Sequence, residues 1–161
     1  MKILLSIILF IISTIVFIPQ SNILFTLQKN MQKEKIYLNY YKLTQHPFNL
    51  TLEKNTIIYD KIKIANISNI STLIGLFYNK IDISNVSISF NNLKIDKIIL
   101  TNNILSPFII NIKAISKFAN IRGYINLKNQ KIILHFAKLK NKNLQKLLQH
   151  NKQGYFYEES F

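Results

Sequence analysis

Residues Ile3 to Ile18 contain no charged side chain, and they stand between Lys2 and Pro19. As an α-helix, such a run is about 24 Å long, slightly less than the ~30 Å hydrocarbon core of a bilayer. Ile23 to Leu27 are also apolar and prolong the stretch past Pro19. A helix satisfies its own backbone hydrogen bonds, as lipid requires. The run therefore predicts a transmembrane anchor built from Ile3, Leu4, Leu5, Ile7, Ile8, Leu9, Phe10, Ile11, Ile12, Ile15, Val16, Phe17 and Ile18. A cleaved secretory signal starting at Lys2 is the alternative. Cleavage calls for small residues of the A-x-A type, and from Pro19 to Phe25 only Ser21 is small. The expectation is thus an uncleaved, single-pass anchor. Lys2 favours a cytoplasmic amino end, whereas Lys29, Lys33 and Lys35 pull the other way from ten residues beyond Pro19.

The chain has 161 residues, which leaves room for one domain after the anchor. Its formal net charge is +14. Such a charge suggests nucleic acid or an anionic lipid surface. Arg122 is the sole Arg, however, and Arg is the better fork for phosphate and base edges. The wealth of Ile, Asn and Lys is also what an A+T-rich genome writes into any protein. The charge is therefore read first as a solvated basic surface, and nucleic acid ranks last among the partners. No cysteine is present, which fits an exported compartment without requiring one.

Beyond the anchor the pattern is short and alternating. Leu27 and Met31 sit four apart, at helical spacing in a juxtamembrane stretch. Ile36, Leu38 and Tyr40 share one face of a strand that Pro47 ends, and Phe48, Leu50 and Leu52 alternate with Asn49, Thr51 and Glu53. Glu53 to Thr56 reads as a turn, and Ile57 to Ile67 as a further strand. Ser71 to Asn79 does not alternate and reads as a helical turn over the sheet edge. Ile81 and Ile83 form one apolar set and Val86, Ile88 and Phe90 another, with a slip of one residue between them. Such a slip flips the buried face unless a bulge absorbs it. Leu93 to Leu100, Phe108 to Ile115, and the hairpin Ile121–Leu127 with Ile132–Phe136 complete the strands. Near the end, Leu144, Leu147 and Leu148 predict an amphipathic helix, stopped by Gly154 and followed by the aromatics Tyr155 to Tyr157.

Chemistry-bearing patterns are sparse. Three glycines exclude a glycine-rich phosphate loop. His46, His135 and His150 share no ligand spacing with one another or with a carboxylate, so no metal and no cofactor is expected. The seven acids sit mostly in turns or beside Lys, and no G-x-S-x-G elbow occurs, which argues against an enzyme.

Two segments, Ser71 to Ile88 and Ile121 to Leu134, carry a leucine-rich turn followed by I-x-I-x-x-V-x-I and a closing x-G-x-I-x-L hairpin. They resemble the AsmA-like proteins, and the layout is similar to that of the type II secretion protein N family. The resemblance covers roughly residues 48 to 137 plus the anchor. It implies a β-sheet curled into an open groove, in the periplasm, on a protein of a bacterial inner membrane, without catalysis. The resulting expectation is a mainly β fold: a transmembrane helix, one small antiparallel curled sheet and a C-terminal amphipathic helix. Its divisions are 1–25 as anchor, 26–35 as juxtamembrane linker, 36–137 as the periplasmic β domain, and 138–161 as terminal helix and tail. The expected role is a structural component of an envelope secretion, pilus or DNA-uptake machine, with protein partners at the sheet edges and at Leu144, Leu147 and Leu148. The alternative is lipid handling of the AsmA or lipopolysaccharide-transport kind, on an apolar face of Ile81, Ile83, Val86, Ile88 and Phe90. A basic domain that binds nucleic acid is the third reading.

Overall fold

A computed structural model of the chain describes residues 20–75, 77–89, 93–140, 142–151 and 154–161. Its framework is one antiparallel sheet of eleven strands. In chain order they are β1 Ile36–Asn39, β2 Lys42–His46, β3 Asn49–Tyr59, β4 Ile62–Ile74, β5 Tyr78–Ile88, β6 Leu93–Asn103, β7 Ser106–Ile115, β8 Asn120–Asn126, β9 Lys131–Ala137, β10 Gln149–Asn151 and β11 Gly154–Ser160. From β3 to β9 each strand pairs with the next. β1 and β2 share the outer edge of β3, while β11 adds to β9 and β10 to β11. The two ends do not meet, so the sheet is open.

Registers place apolar side chains in rows along one face. One row runs Leu52, Ile70, Ile83, Ile98, Ala114, Ile121, Phe136, Tyr155. The neighbouring row runs Leu50, Thr72, Ile81, Leu100, Ile112, Gly123, Leu134, Tyr157. The opposite face is polar over much of its width, with Thr51, Ser71, Asp82, Ile99, Lys113, Arg122 and His135 in one row.

Apart from register shifts at Ile57/Ile58 and at Thr101/Asn103, strand alternation breaks at one level shared by β3 to β6. Leu52 and Asn55 are both buried although three residues apart, and the apolar face likewise passes from Ile67 to Ile70 and from Ile83 to Val86. Register is unchanged across the break, so Lys54, Ser68, Asn85 and Asp96 stand opposite one another. Each is an extra residue turned to solvent. Lys54 (φ 52) and Asn85 (φ 53) take left-handed backbone conformations there, as bulged strands permit. Lys54 Nζ lies 5.0 Å from the ring centre of Tyr41, one of the two residues that separate β1 from β2 at the same level. Beneath this crease the fully buried Asn55 donates Nδ2 to the carbonyls of Leu52 (3.0 Å) and Ile67 (3.4 Å) and so ties β3 to β4.

Helix α1, Gln20–Lys33, lies on the apolar face. Its Leu24 is buried with Leu50 and Leu52, inside a ring of Leu38, Tyr40, Leu43 and Ile70. Gln28 Nε2 donates to the Leu38 carbonyl at 3.0 Å. The helix stops where Lys35 turns left-handed (φ 59) and its N–H donates to the Gln32 carbonyl. Asp60 N–H donates to the Lys35 carbonyl, which fixes the C-terminal end of α1 beside the β3–β4 turn. Its N-terminal end is therefore near the start of β3.

Several expectations are corrected. Among the described residues no helix is long and apolar enough to cross a membrane, so the transmembrane, single-pass element of the expected fold is not found there. The run Ile3–Ile18 itself lies outside the described residues. Ile23 to Leu27, expected to prolong an anchor, belong to α1 and put Leu24 into the core. The terminal amphipathic helix is a four-residue helix α2, Lys142–Gln145, and the chain then adds β10 and β11 to the sheet. The sheet is larger than expected because two supposed interruptions are largely strand and one supposed strand is a hairpin. Glu53 to Thr56 lie within β3, where the polar cluster at Lys54 marks the crease. Ile57 to Ile67 are a hairpin whose two-residue turn, Asp60 (φ 43) and Lys61 (φ 70), matches the natural twist of paired strands. Ser71 to Asn79 contain the end of β4 and the start of β5.

Gly123 gives a test of this register. A Cβ there would fall on the Ile133 carbonyl and lie 2.9 Å from Leu134 Cα, whereas at Gly154 the nearest atom is 4.0 Å away and only the φ of +116° resists a side chain. Gly123→Ala is expected to cost about 3 kcal/mol, the upper range for overpacking against an unyielding backbone. Gly154→Ala should cost about 1 kcal/mol from backbone strain. Thermal unfolding followed by circular dichroism checks the order, and a greater loss at Gly154 would contradict the β8–β9 pairing.

Candidate functional site

α1 covers only part of the apolar face, and a groove remains between it and the sheet. Ile23, Leu24, Leu27 and Met31 line it from the helix. Leu38, Leu50, Leu52, Ile57, Ile67, Ile70, Ile81, Ile83 and Leu100 line it from β1 and β3 to β6. The volume is about 540 Å3, within the usual range of ligand cavities. From Leu50 to Ile57 along β3 the groove extends roughly 20 Å, from the strand rise. Its polar lining is Thr72 with Asn79 and Lys80, and the last two begin β5 at one end of the groove.

The crease is what lets one groove run through both halves of these strands. Were Ser68 and Asn85 not turned out of the regular alternation, Ile67 and Val86, each three residues from Ile70 and Ile83, would face away from them. Of the expected face, Ile81, Ile83, Val86 and Ile88 do share one side, joined by the bulge at Asn85. Ile81 and Ile83 line the groove, whereas Val86 and Ile88 lie beyond the crease, beside Ile67 and Ala65. Phe90 lies outside the described residues.

Leu144 and Leu148 are half-buried at the opposite end of the sheet and Leu147 is exposed, so the structure does not gather the three on one covered face. Sequence reasoning missed α1 as a wall of the site because Leu24 and Leu27 read as a continuation of the apolar run. The alternation of Leu50 and Leu52 was a usable signal for the facing wall.

On the polar side of β5, Asp82 stands between two lysines. Lys80 Nζ is 2.7 Å from Oδ2 and Lys97 Nζ is 3.5 Å from Oδ1. Partial burial pushes the Asp82 carboxyl up. The hydrogen bond and charge of Lys80, with the charge of Lys97, outweigh that and hold it below its ordinary value. Lys80 is raised in turn, chiefly by its hydrogen bond to Asp82. The pair neutralises the cation nearest the groove end.

Elsewhere, His46 ends β2, His135 lies on the polar face of β9, and His150 meets Tyr155 edge-on at 4.8 Å. Among the described residues no three His, Asp or Glu side chains gather as a metal site. The aliphatic lining of the groove is suited to holding an apolar chain. No protein-family model, curated protein or solved structure matches this chain.

The Asp82 cluster predicts an acid-sensitive contribution to stability. Because its folded pKa is lowered, the contribution is present above the unfolded value, 3.8, and is lost as pH falls through the folded one. Urea melts between about pH 5 and pH 3 are expected to lose more stability in the native chain than in Asp82→Asn. Parallel losses would show that the lysines do not stabilise the carboxylate.

Proposed function

We propose that this protein binds the acyl chain of a lipid in the groove between α1 and β3 to β6. The supporting observation is the lining itself: aliphatic side chains from five strands and a helix, with polar groups confined to Thr72 and one end. A leaflet of the ~30 Å hydrocarbon core is about 15 Å deep, so a groove of roughly 20 Å accommodates an extended chain. The resemblance to the AsmA-like proteins, which implies an open apolar groove, supports the same reading. The competing role, a structural subunit joined through its sheet edges, has less in its favour. β10 leaves the outer edge of β11 uncovered beyond Phe156, but Glu159 stands on that edge beside Glu158, which pairs with Lys131 of β9. Charged side chains there oppose strand addition.

A photoactivatable fatty acid with a diazirine on its chain tests the proposal on the full protein. Cross-links mapped by mass spectrometry are expected on α1 and on β3 to β5 at apolar-face positions. Ile83→Asp places an unpaired carboxylate in the groove and should reduce labelling at least tenfold, since its burial costs several kcal/mol. Ser84→Asp adds the same charge on the other face and should leave labelling unchanged. Labelling that is absent, or equal in the two variants, would refute the acyl-chain reading.

A further inference from the structure

The turns at the two ends of the sheet differ in chemistry. At the end where β3, β5 and β7 begin, every turn exposes a large apolar side chain. Phe48 precedes β3, Phe77 lies between β4 and β5, Leu105 lies in the β6–β7 turn with Phe108 the third residue of β7, Leu127 follows β8, and Phe161 follows β11. Leu105 is 90% exposed and Phe77 66%, values ordinary for a lysine and costly for side chains of this kind. At the opposite end the described tips are Asp60 and Lys61 between β3 and β4, and Ser116 and Lys117 with the half-buried Phe118 and buried Ala119 between β7 and β8. Tyr59 and Ile62 are exposed behind the first of these and Ile115 behind the second, all in strands rather than at a tip.

Backbone hydrogen bonds align the apolar tips in one row. Ile74 N–H donates to the Phe48 carbonyl, Ile104 to Phe77, Leu127 to Phe108, and Phe161 to Gln130. The row follows the rim of a single sheet. A rim about 10 Å thick, the thickness of one sheet layer, is too narrow for the roughly 800 Å2 per partner of a stable protein interface. A lipid surface accepts such an edge, because each tip inserts independently among the chains and Lys128, beside Leu127, keeps its ammonium at headgroup level.

Two further features point to the same end. Helix α1 runs from this rim toward the β3–β4 turn, so Gln20, where the uncharged sequence Ile3–Ile18 joins the described structure, is here. The groove reaches this end at Ile74 and Asn79.

We infer that this apolar rim seats the protein on a lipid surface, with the Phe48, Phe77, Leu105, Phe108 and Leu127 side chains inserted and the Lys61 and Lys117 end facing water. The inference goes beyond acyl-chain binding and does not require the groove to be filled.

The chain contains no cysteine, so single-cysteine variants report on one position each. Phe77→Cys, Leu105→Cys, Leu127→Cys, Lys61→Cys and Lys117→Cys of the full protein would carry an environment-sensitive fluorophore. They would be mixed with vesicles of phosphatidylethanolamine and phosphatidylglycerol containing a quencher on the acyl chains. Labels at 77, 105 and 127 are expected to shift to shorter wavelength and to lose at least half of their emission to the quencher. Labels at 61 and 117 should keep theirs. Equal quenching at both ends, or no quenching at 105 with the protein bound to vesicles, would overturn the inference. So would a shift at 105 that appears without vesicles and grows with protein concentration, since a second copy would then cover the rim. Repeating the measurement in Ile83→Asp separates the two readings. Quenching at 105 that persists while fatty-acid labelling is lost supports both, and a groove that labels normally in a protein with a dry rim leaves only the groove.

Discussion

Side chains alternate along a strand, so one extra residue turns every later side chain to the other face. The sheet keeps a continuous apolar face only because β3, β4, β5 and β6 take their extra residue at the same level, at Lys54, Ser68, Asn85 and Asp96. Were one strand to run through this level in regular alternation, the half of it beyond the crease would point at solvent while its neighbours' halves pointed at the core. The buried positions on both sides of the crease, Leu50 and Leu52 below, Ala65, Ile67 and Val86 above, depend on that agreement. Asn55 sits just inside the crease with both amide hydrogens donated to backbone, which holds the bend in place.

Much of this was legible as pattern and little of it as architecture. The slip between Ile83 and Val86 is visible in the sequence, and the bulge that resolves it is the αL residue Asn85, a residue type that tolerates that conformation. The same event in β3 was unreadable, because a polar cluster around Lys54 has the composition of a turn. The β6 stretch Leu93 to Leu100 shows its strand character but not that Asp96 is the matching extra residue. The C-terminal leucines have helical spacing, yet the edge of β9 offers Tyr155 and Tyr157 backbone partners and apolar neighbours that a lone helix lacks. Tertiary pairing overrode local propensity there. For the site, Ile81 and Ile83 were identified from alternation alone. Leu24 and Leu27 were not, since an apolar face against a sheet and an apolar run bound for lipid read alike in one dimension.

The two faces divide the electrostatic work. Among the described residues the lysines, with the one Arg, are spread over the polar face, the turns and the helix surface, and the basic residue along the groove, Lys80, has its ammonium bound to Asp82 on the polar face. A strongly basic chain thus contains an interior surface with almost no field of its own. An uncharged hydrocarbon chain is indifferent to the net charge around it, whereas a phosphate would be drawn to the outside of the sheet.

From β3 to β9 each strand touches chiefly the strand before it and the strand after it in sequence. Such local pairing lets hairpins form one after another as the polypeptide emerges, and keeps folding fast for an all-β protein. It also makes the length of the sheet a free parameter. Removing or duplicating a hairpin beyond β6 changes how far the apolar face extends without disturbing α1, Leu24 or the crease. The architecture is therefore one that evolution can lengthen or shorten in hairpin steps, with capacity for bound chain adjusted by the number of strands rather than by rebuilding the core.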